Sequence, residues 1–111
     1  GLLGHLNEML AASPSIAIDL WVEAIPSFDG TLNLLNTGLA STLAPSNRRA
    51  LASLGSRVRT IQGLDDVSNS LKPGLEALLV DPQTCGPLLV SCSSSEARLL
   101  EDQGWIAIGE A

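Results

Sequence analysis

Leu2-Leu3-Gly4-His5-Leu6-Asn7-Glu8-Met9-Leu10-Ala11-Ala12, interrupted by Ser13-Pro14, and then Ile16-Ala17-Ile18-Asp19-Leu20-Trp21-Val22-Glu23 are the two stretches that decide the fold class. In the first, Leu2, Leu3, Leu6, Met9 and Leu10 recur at helical spacing and predict one apolar stripe over residues 2–12. A residue before proline is pushed out of the α region, so Ser13-Pro14 stops that helix. In the second, Ile16, Ile18, Leu20 and Val22 alternate with Ala17, Asp19, Trp21 and Glu23, which is the period of a half-buried strand. A helix running directly into such a strand predicts helices laid on a sheet.

Downstream, Pro26 to Gly30 reads as a turn, and Leu32, Leu34 and Leu35 as a short helix closed by Gly38. The next helix starts near Ser46, buries Ala50, Leu51 and Leu54, and ends at Gly55. Residues 57 to 61 read as a short edge strand, Gly63 to Gly74 as a polar loop, and Leu75 to Leu79 as a helical turn. Leu88-Leu89-Val90-Ser91-Cys92 is expected to be a compact apolar strand that holds Cys92 as an inert buried thiol. Ser93 and Glu96 carry a capping-box signature for a helix that uses Ala97, Leu99 and Leu100 and stops at Gly104. Trp105 to Ile108 reads as the last strand. The sum is an α+β domain, with helices packed on a mixed, mainly antiparallel sheet.

A length of 111 residues suits one domain. A composition 45% hydrophobic and 16% charged excludes wholesale disorder and a charged coiled coil. The six Lys/Arg against twelve Asp/Glu give a net charge of −6, which argues against a protein that grips nucleic acid by neutralising phosphates. No apolar run is long enough to cross a bilayer, and Gly1 to His5 lack the basic flank of a signal peptide, so a cytoplasmic location is expected. The two cysteines, Cys85 and Cys92, lack CxxC spacing and are too few for a disulfide framework. The helical pattern already runs at residue 2 with no capping residue ahead of it, so the chain is expected to be a piece of a longer protein.

Side chains with chemistry are sparse. Gly1-x-x-Gly4 has neither the preceding strand nor the lysine of a phosphate loop. Cys85, Cys92 and His5 make a poor metal set, and nothing positions a Cys–His nucleophilic pair, so no catalytic or metal-ligating residue is assigned. Cys85, in a polar turn, is the more accessible thiol. His5 is expected at the rim of the first helix's apolar stripe. Arg48, Arg49, Arg57 and Arg59 hold four of the six positive charges. Clustered guanidinium groups suit carboxylate or phosphate oxygens, but the simpler reading is a solvated face that balances acids elsewhere. Asp81-Pro82-Gln83-Thr84-Cys85-Gly86-Pro87 is the most specific stretch: a tight turn at least, presenting the Gln83 amide and Thr84 hydroxyl at the mouth of the sheet.

Five segments in order resemble selenophosphate synthetase (selenide, water dikinase). Gly1-Leu2-Leu3-Gly4-His5-Leu6-Asn7-Glu8-Met9 resembles the end of that family's Asp-Val-Thr-Gly-Phe-Gly-Leu-Leu-Gly-His motif, and Ala24-Ile25-Pro26 matches the tripeptide after its next strand. Asn47-Arg48 stands where the family has an Arg-Asn pair. Asp81 to Gly86 resembles its Asp-Pro-Gln-Thr-Ser-Gly-Gly, and Ile108-Gly109-Glu110 its terminal tripeptide. Three features depart from the pattern: Cys85 replaces a serine, Pro87 a glycine, and Leu43-Ala44-Pro45-Ser46 a Gly-Gly-Thr.

The resemblance implies the fold of the C-terminal domain of the related aminoimidazole ribonucleotide synthetase. It implies that residues 1–111 are the C-terminal domain of an enzyme converting selenide, ATP and water to selenophosphate, AMP and phosphate with magnesium. The reactive Cys or selenocysteine, the essential lysine and most metal-binding aspartates would lie in an N-terminal domain absent here, so this piece is expected to be inert alone. The full-length enzyme would be a homodimer, with neither nucleic acid nor membrane as partner. Gly1, Asn47, Arg48, Asp81, Gln83 and Thr84 are the residues implied at the nucleotide cleft. The departures motivate an alternative, a non-catalytic binding or interaction module derived from the same fold.

Overall fold

Helix α1 (Leu2–Ala12) forms where the leucine stripe runs, and it buries Leu3, Leu6 and Leu10, one residue per turn along one face. Its C-terminal carbonyls face a problem common to all helices, since the last turn has no intrahelical donors left. A distant side chain supplies them. Arg57 donates from Nη2 to the carbonyls of Leu10 (2.9 Å) and Ser13 (2.6 Å), and from Nε to that of Ile16 (3.0 Å). The computed structural model describes residues 1–54, 57–61, 73–82, 86 and 88–111.

Strand β1 (Ile18–Trp21) is shorter than the alternation suggested, because the chain tightens into a 3₁₀ turn over Val22–Ala24. Leu20 and Val22 nonetheless share the buried face, each 1% exposed. β1 is the central strand, flanked by β2 (Val58–Ile61) and β3 (Gly109–Glu110). β1 and β2 run parallel from Ile18 opposite Val58 to Trp21 opposite Ile61, and β1 and β3 are antiparallel with Leu20 opposite Gly109. The sheet is therefore mixed as expected. The expected weight on antiparallel pairing is absent among the described residues, since the parallel pair is the longer one. Gly109 is required by this geometry: a Cβ there would collide with the Asp19 carbonyl.

Helix α2 (Thr31–Asn36) ends in a Schellman motif, with Leu39 N–H donating to Leu34 (3.2 Å), Gly38 N–H to Leu35 (3.0 Å), and Gly38 left-handed at φ +88°. Helix α3 (Ala44–Leu54) starts two residues before Ser46 and tolerates Pro45 in its first turn, where no backbone donor is needed. The side chains of Ala50, Leu51 and Leu54, and Gly55, lie outside the described residues. Helix α4 (Pro73–Val80) is a full two turns where the sequence suggested a turn over 75–79, and it takes in Gly74, which had been expected at the end of a polar loop. The rest of that expected loop, 63 to 72, lies outside the described residues. Gly74, Leu75 and Ala77 to Val80 are all buried, because α4 packs against α1, α2 and α3 together. The core is Leu3, Leu6 and Leu10 from α1, Leu20 from β1, Val22 from the 3₁₀ turn, Ala44, and Leu75, Leu79 and Val80 from α4.

The C-terminal third departs most from expectation. Leu88 to Cys92 forms no strand; Leu89 alone packs on the core, while Leu88 and Val90 are 81% and 49% exposed. Without a neighbouring strand, an apolar run has nothing to pair with. Cys92 is correspondingly exposed, not buried. Helix α5 (Ser94–Glu101) has its capping box as predicted, yet none of its residues is buried and Leu99 is 63% exposed. The last strand lies later than expected, over Gly109–Glu110, and Trp105 and Ile106 are exposed; Ile108, just before it, packs against the core and accepts from Trp21 N–H at 2.8 Å.

Candidate functional site

The C-terminal end of α4 is where separated parts of the chain meet. Val80, 2% exposed, carries one of the carbonyls that helix geometry leaves without a partner, and the Asn47 side chain satisfies it from α3 (Nδ2 to O, 2.9 Å). An acceptor on one side fixes the orientation of the Asn47 amide, which must present its NH₂. The next residue, Asp81, closes the helix with a 3₁₀-type bond from its N–H to the Leu78 carbonyl three residues back (3.3 Å). Gly1 packs against the same point: a Cβ on Gly1 would overlap the Asp81 carbonyl and crowd Val80. The close approach of α1 to α4 thus depends on glycine having no side chain.

Two concavities flank this junction. One, of about 70 Å³, is lined by the first turn of α1 (Gly1, Leu3, Gly4) together with Asn47, Leu79 and Val80. The other is a wider groove of about 260 Å³ where Asp81 faces Thr31, Ser41 and the apolar side chains of Leu34, Leu35 and Leu39. A helix N-terminus on one side and a half-buried carboxylate on the other can orient a polar ligand, since unpaired amides attract oxygen anions.

Of the residues implied by sequence, Gly1, Asn47 and Asp81 come together here. Arg48 is engaged one turn back on α4, where its Nε donates to Glu76 at 3.0 Å, both side chains partly exposed. Gln83, Thr84 and Cys85 lie outside the described residues. The other arginines are also taken up by the fold: Arg49 bonds Ser46 Oγ (3.0 Å), Arg57 clasps the end of α1, and Arg59 forms a two-pronged pair with Asp19, its cross-strand neighbour. The hydrogen bond to Asp19, and then its charge, raise the Arg59 pKa further. Arg48 and Arg59 answer acids, which fits the balancing reading, while Arg57 answers carbonyls and Arg49 a hydroxyl. His5, expected at the rim of the apolar stripe, is exposed and lies 3.5 Å from Glu8. Among the described residues, no group of three or more His, Cys, Asp or Glu is arranged to hold a metal. Nor is any of their helices long and apolar enough to cross a membrane. The role of Val80 was not visible in the sequence, because its partner is 33 residues away.

Comparison with known proteins finds relatives along nearly the whole chain. It is 34% identical over 107 residues to a selenide, water dikinase of Campylobacter jejuni, covering 93% of this chain and 27% of the relative. It is 30% identical over 98 residues to one of Clostridium botulinum (88% and 25%) and 37% identical over 93 residues to one of Burkholderia pseudomallei (84% and 23%). The chain spans about a quarter of the length of these relatives. No family model matches it, and no solved structure does.

Proposed function

Because the chain matches one domain of selenophosphate synthetase, we propose that it is the C-terminal domain of a longer enzyme making selenophosphate, AMP and phosphate from selenide, ATP and water. One observation carries the reading: Gly1, Asn47 and Asp81, implied at a nucleotide cleft by separate motifs, meet at one end of α4. Phosphoryl transfer depends on positioning and charge stabilisation more than on covalent chemistry by the protein. This domain would contribute positioning, with the first turn of α1 toward phosphate oxygens and the Asp81 turn toward the remainder of the ligand. In this reading the magnesium ligands belong mostly to an N-terminal domain, as do the reactive sulfur or selenium and the lysine. The domain works in the cytoplasm as part of a homodimer, closing over the cleft, and is inert by itself.

The test is ATP turnover by the longer protein carrying Asp81→Ala, with folding verified by circular dichroism. A fall in kcat/KM of about tenfold or more is expected; wild-type kinetics would leave the turn as structure only. Calorimetric titration of ATP into residues 1–111 should show no tight binding, and micromolar affinity would contradict the division of labour.

A second reading, an interaction module on the same fold, is favoured by the exposed Leu88, Leu99 and Ile106. It requires that the longer protein neither bind nor turn over ATP.

A further inference from the structure

We propose that Asn47 is a positioning residue, which fixes through the Val80 carbonyl the direction in which Asp81 and Pro82, the start of the turn, leave α4 beside the first turn of α1. The inference rests on the reading that this turn belongs to the nucleotide site. Four observations lead to it.

The Asn47 amide is already committed to a protein acceptor, at 2.9 Å in a part-buried setting. That contact ties it to the α4 terminus. The acceptor is the last residue of α4, so the bond acts where the chain changes direction, beside the pivot of the turn. The only other bond described at that point is the longer one from Asp81 N–H to Leu78 (3.3 Å), which leaves the exit direction weakly set by the backbone itself. Finally, the Gly1 contact leaves no slack: with α1 pressed on the Asp81 carbonyl, a small rotation of the turn either opens the junction or collides with Gly1.

Arg48 separates this role from a general one in packing. Its bond to Glu76, one turn earlier on the same helix, holds α3 to α4 independently of Asn47. Loss of the Asn47 amide should therefore free the turn and leave the helices in place.

The experiment uses three variants. Asn47→Ala removes the donor, Asn47→Asp sets a carboxylate oxygen against the Val80 carbonyl at nearly constant shape, and Asn47→Gln keeps an amide donor on a longer stem. In residues 1–111, hydrogen exchange at the Asp81 amide should quicken about tenfold in the first two. Amides of α1 and α5 should stay within about twofold of wild type. In the longer synthetase, KM for ATP should rise about tenfold with kcat within about twofold, the pattern of lost ground-state binding, and Asn47→Gln should recover part of it. Unchanged exchange at Asp81 would overturn the proposal, as would uniform acceleration across α1, α3 and α4, which marks a packing role. A freed turn with unaltered ATP kinetics would uphold the positioning role and sink instead the placement of the turn at the nucleotide.

Discussion

Helices α4 and α5 are both eight residues long and are stabilised by opposite means. α5 carries its instructions locally. Ser93 accepts from the Glu96 N–H, the Glu96 carboxylate returns a bond to the Ser93 N–H (2.9 Å), and a positive-φ glycine, Gly104, follows the helix. None of its residues is buried. α4 has almost no local signal beyond Pro73, and its ends are held by two remote asparagines used in opposite senses. Asn36 Oδ1 accepts from the Gly74 N–H (2.8 Å) at the start, and Asn47 Nδ2 donates to Val80 at the finish. The contrast shows that a helix can be fully specified by its neighbours' side chains and leave little trace in its own sequence.

The contrast would break first in the core. Leu79→Ala, at a position 1% exposed, should cost about 3 kcal/mol in urea denaturation, whereas the same change at Leu99 should cost far less. A cost below about 1 kcal/mol at Leu79 would mean that α4 is not held as described.

Gly74→Ala separates propensity from remote capping. Alanine alone favours a helix by about 1 kcal/mol, but its Cβ would lie 2.6 Å from Asn36 Oδ1, so a net loss of about 1–2 kcal/mol is expected. Combining it with Asn36→Ala should return part of that loss, as coupled neighbours do; simple additivity would refute the cap.

Ser93→Ala should cost about 1 kcal/mol, read as faster amide exchange in α5 with little change at α4. The pH dependence sharpens the same point. The Ser93 hydroxyl, and then its N–H, hold the Glu96 pKa below the ordinary glutamate value. A depressed carboxylate pKa stabilises the fold above the unfolded value, and the contribution is lost as pH falls from that value through the folded one. α5 should therefore fray in mild acid, and Glu96→Gln should abolish that dependence. The smallest expected effect is Leu99→Ser, within about 0.5 kcal/mol of wild type by thermal melting.

What could be read from sequence follows the same division. The stripe of α1, the glycine stop after α2 and the capping box of α5 depend on residues a few positions apart, and each is where it was expected. α4 came out as a mere turn because Asn36 and Asn47 act across the fold. Leu88 to Cys92 misled for the converse reason: five apolar or small residues look like a strand, but a strand exists only when a neighbour supplies hydrogen bonds. The meeting of Gly1, Asn47 and Asp81 could not be read from spacing. It was suggested by family likeness, and its physical basis, a missing Cβ against a carbonyl, appears only in three dimensions.

The Arg57 clasp has a kinetic consequence. Arg57 leads directly into β2, and its bond to Ile16 spans 41 positions, so the parallel half of the sheet forms only after a long loop has closed. Such closures are slow relative to helix growth. The Val58–Ile61 edge is accordingly expected to be among the last segments protected during refolding, and Arg57→Ala should delay that step while α5 assembles on its usual schedule.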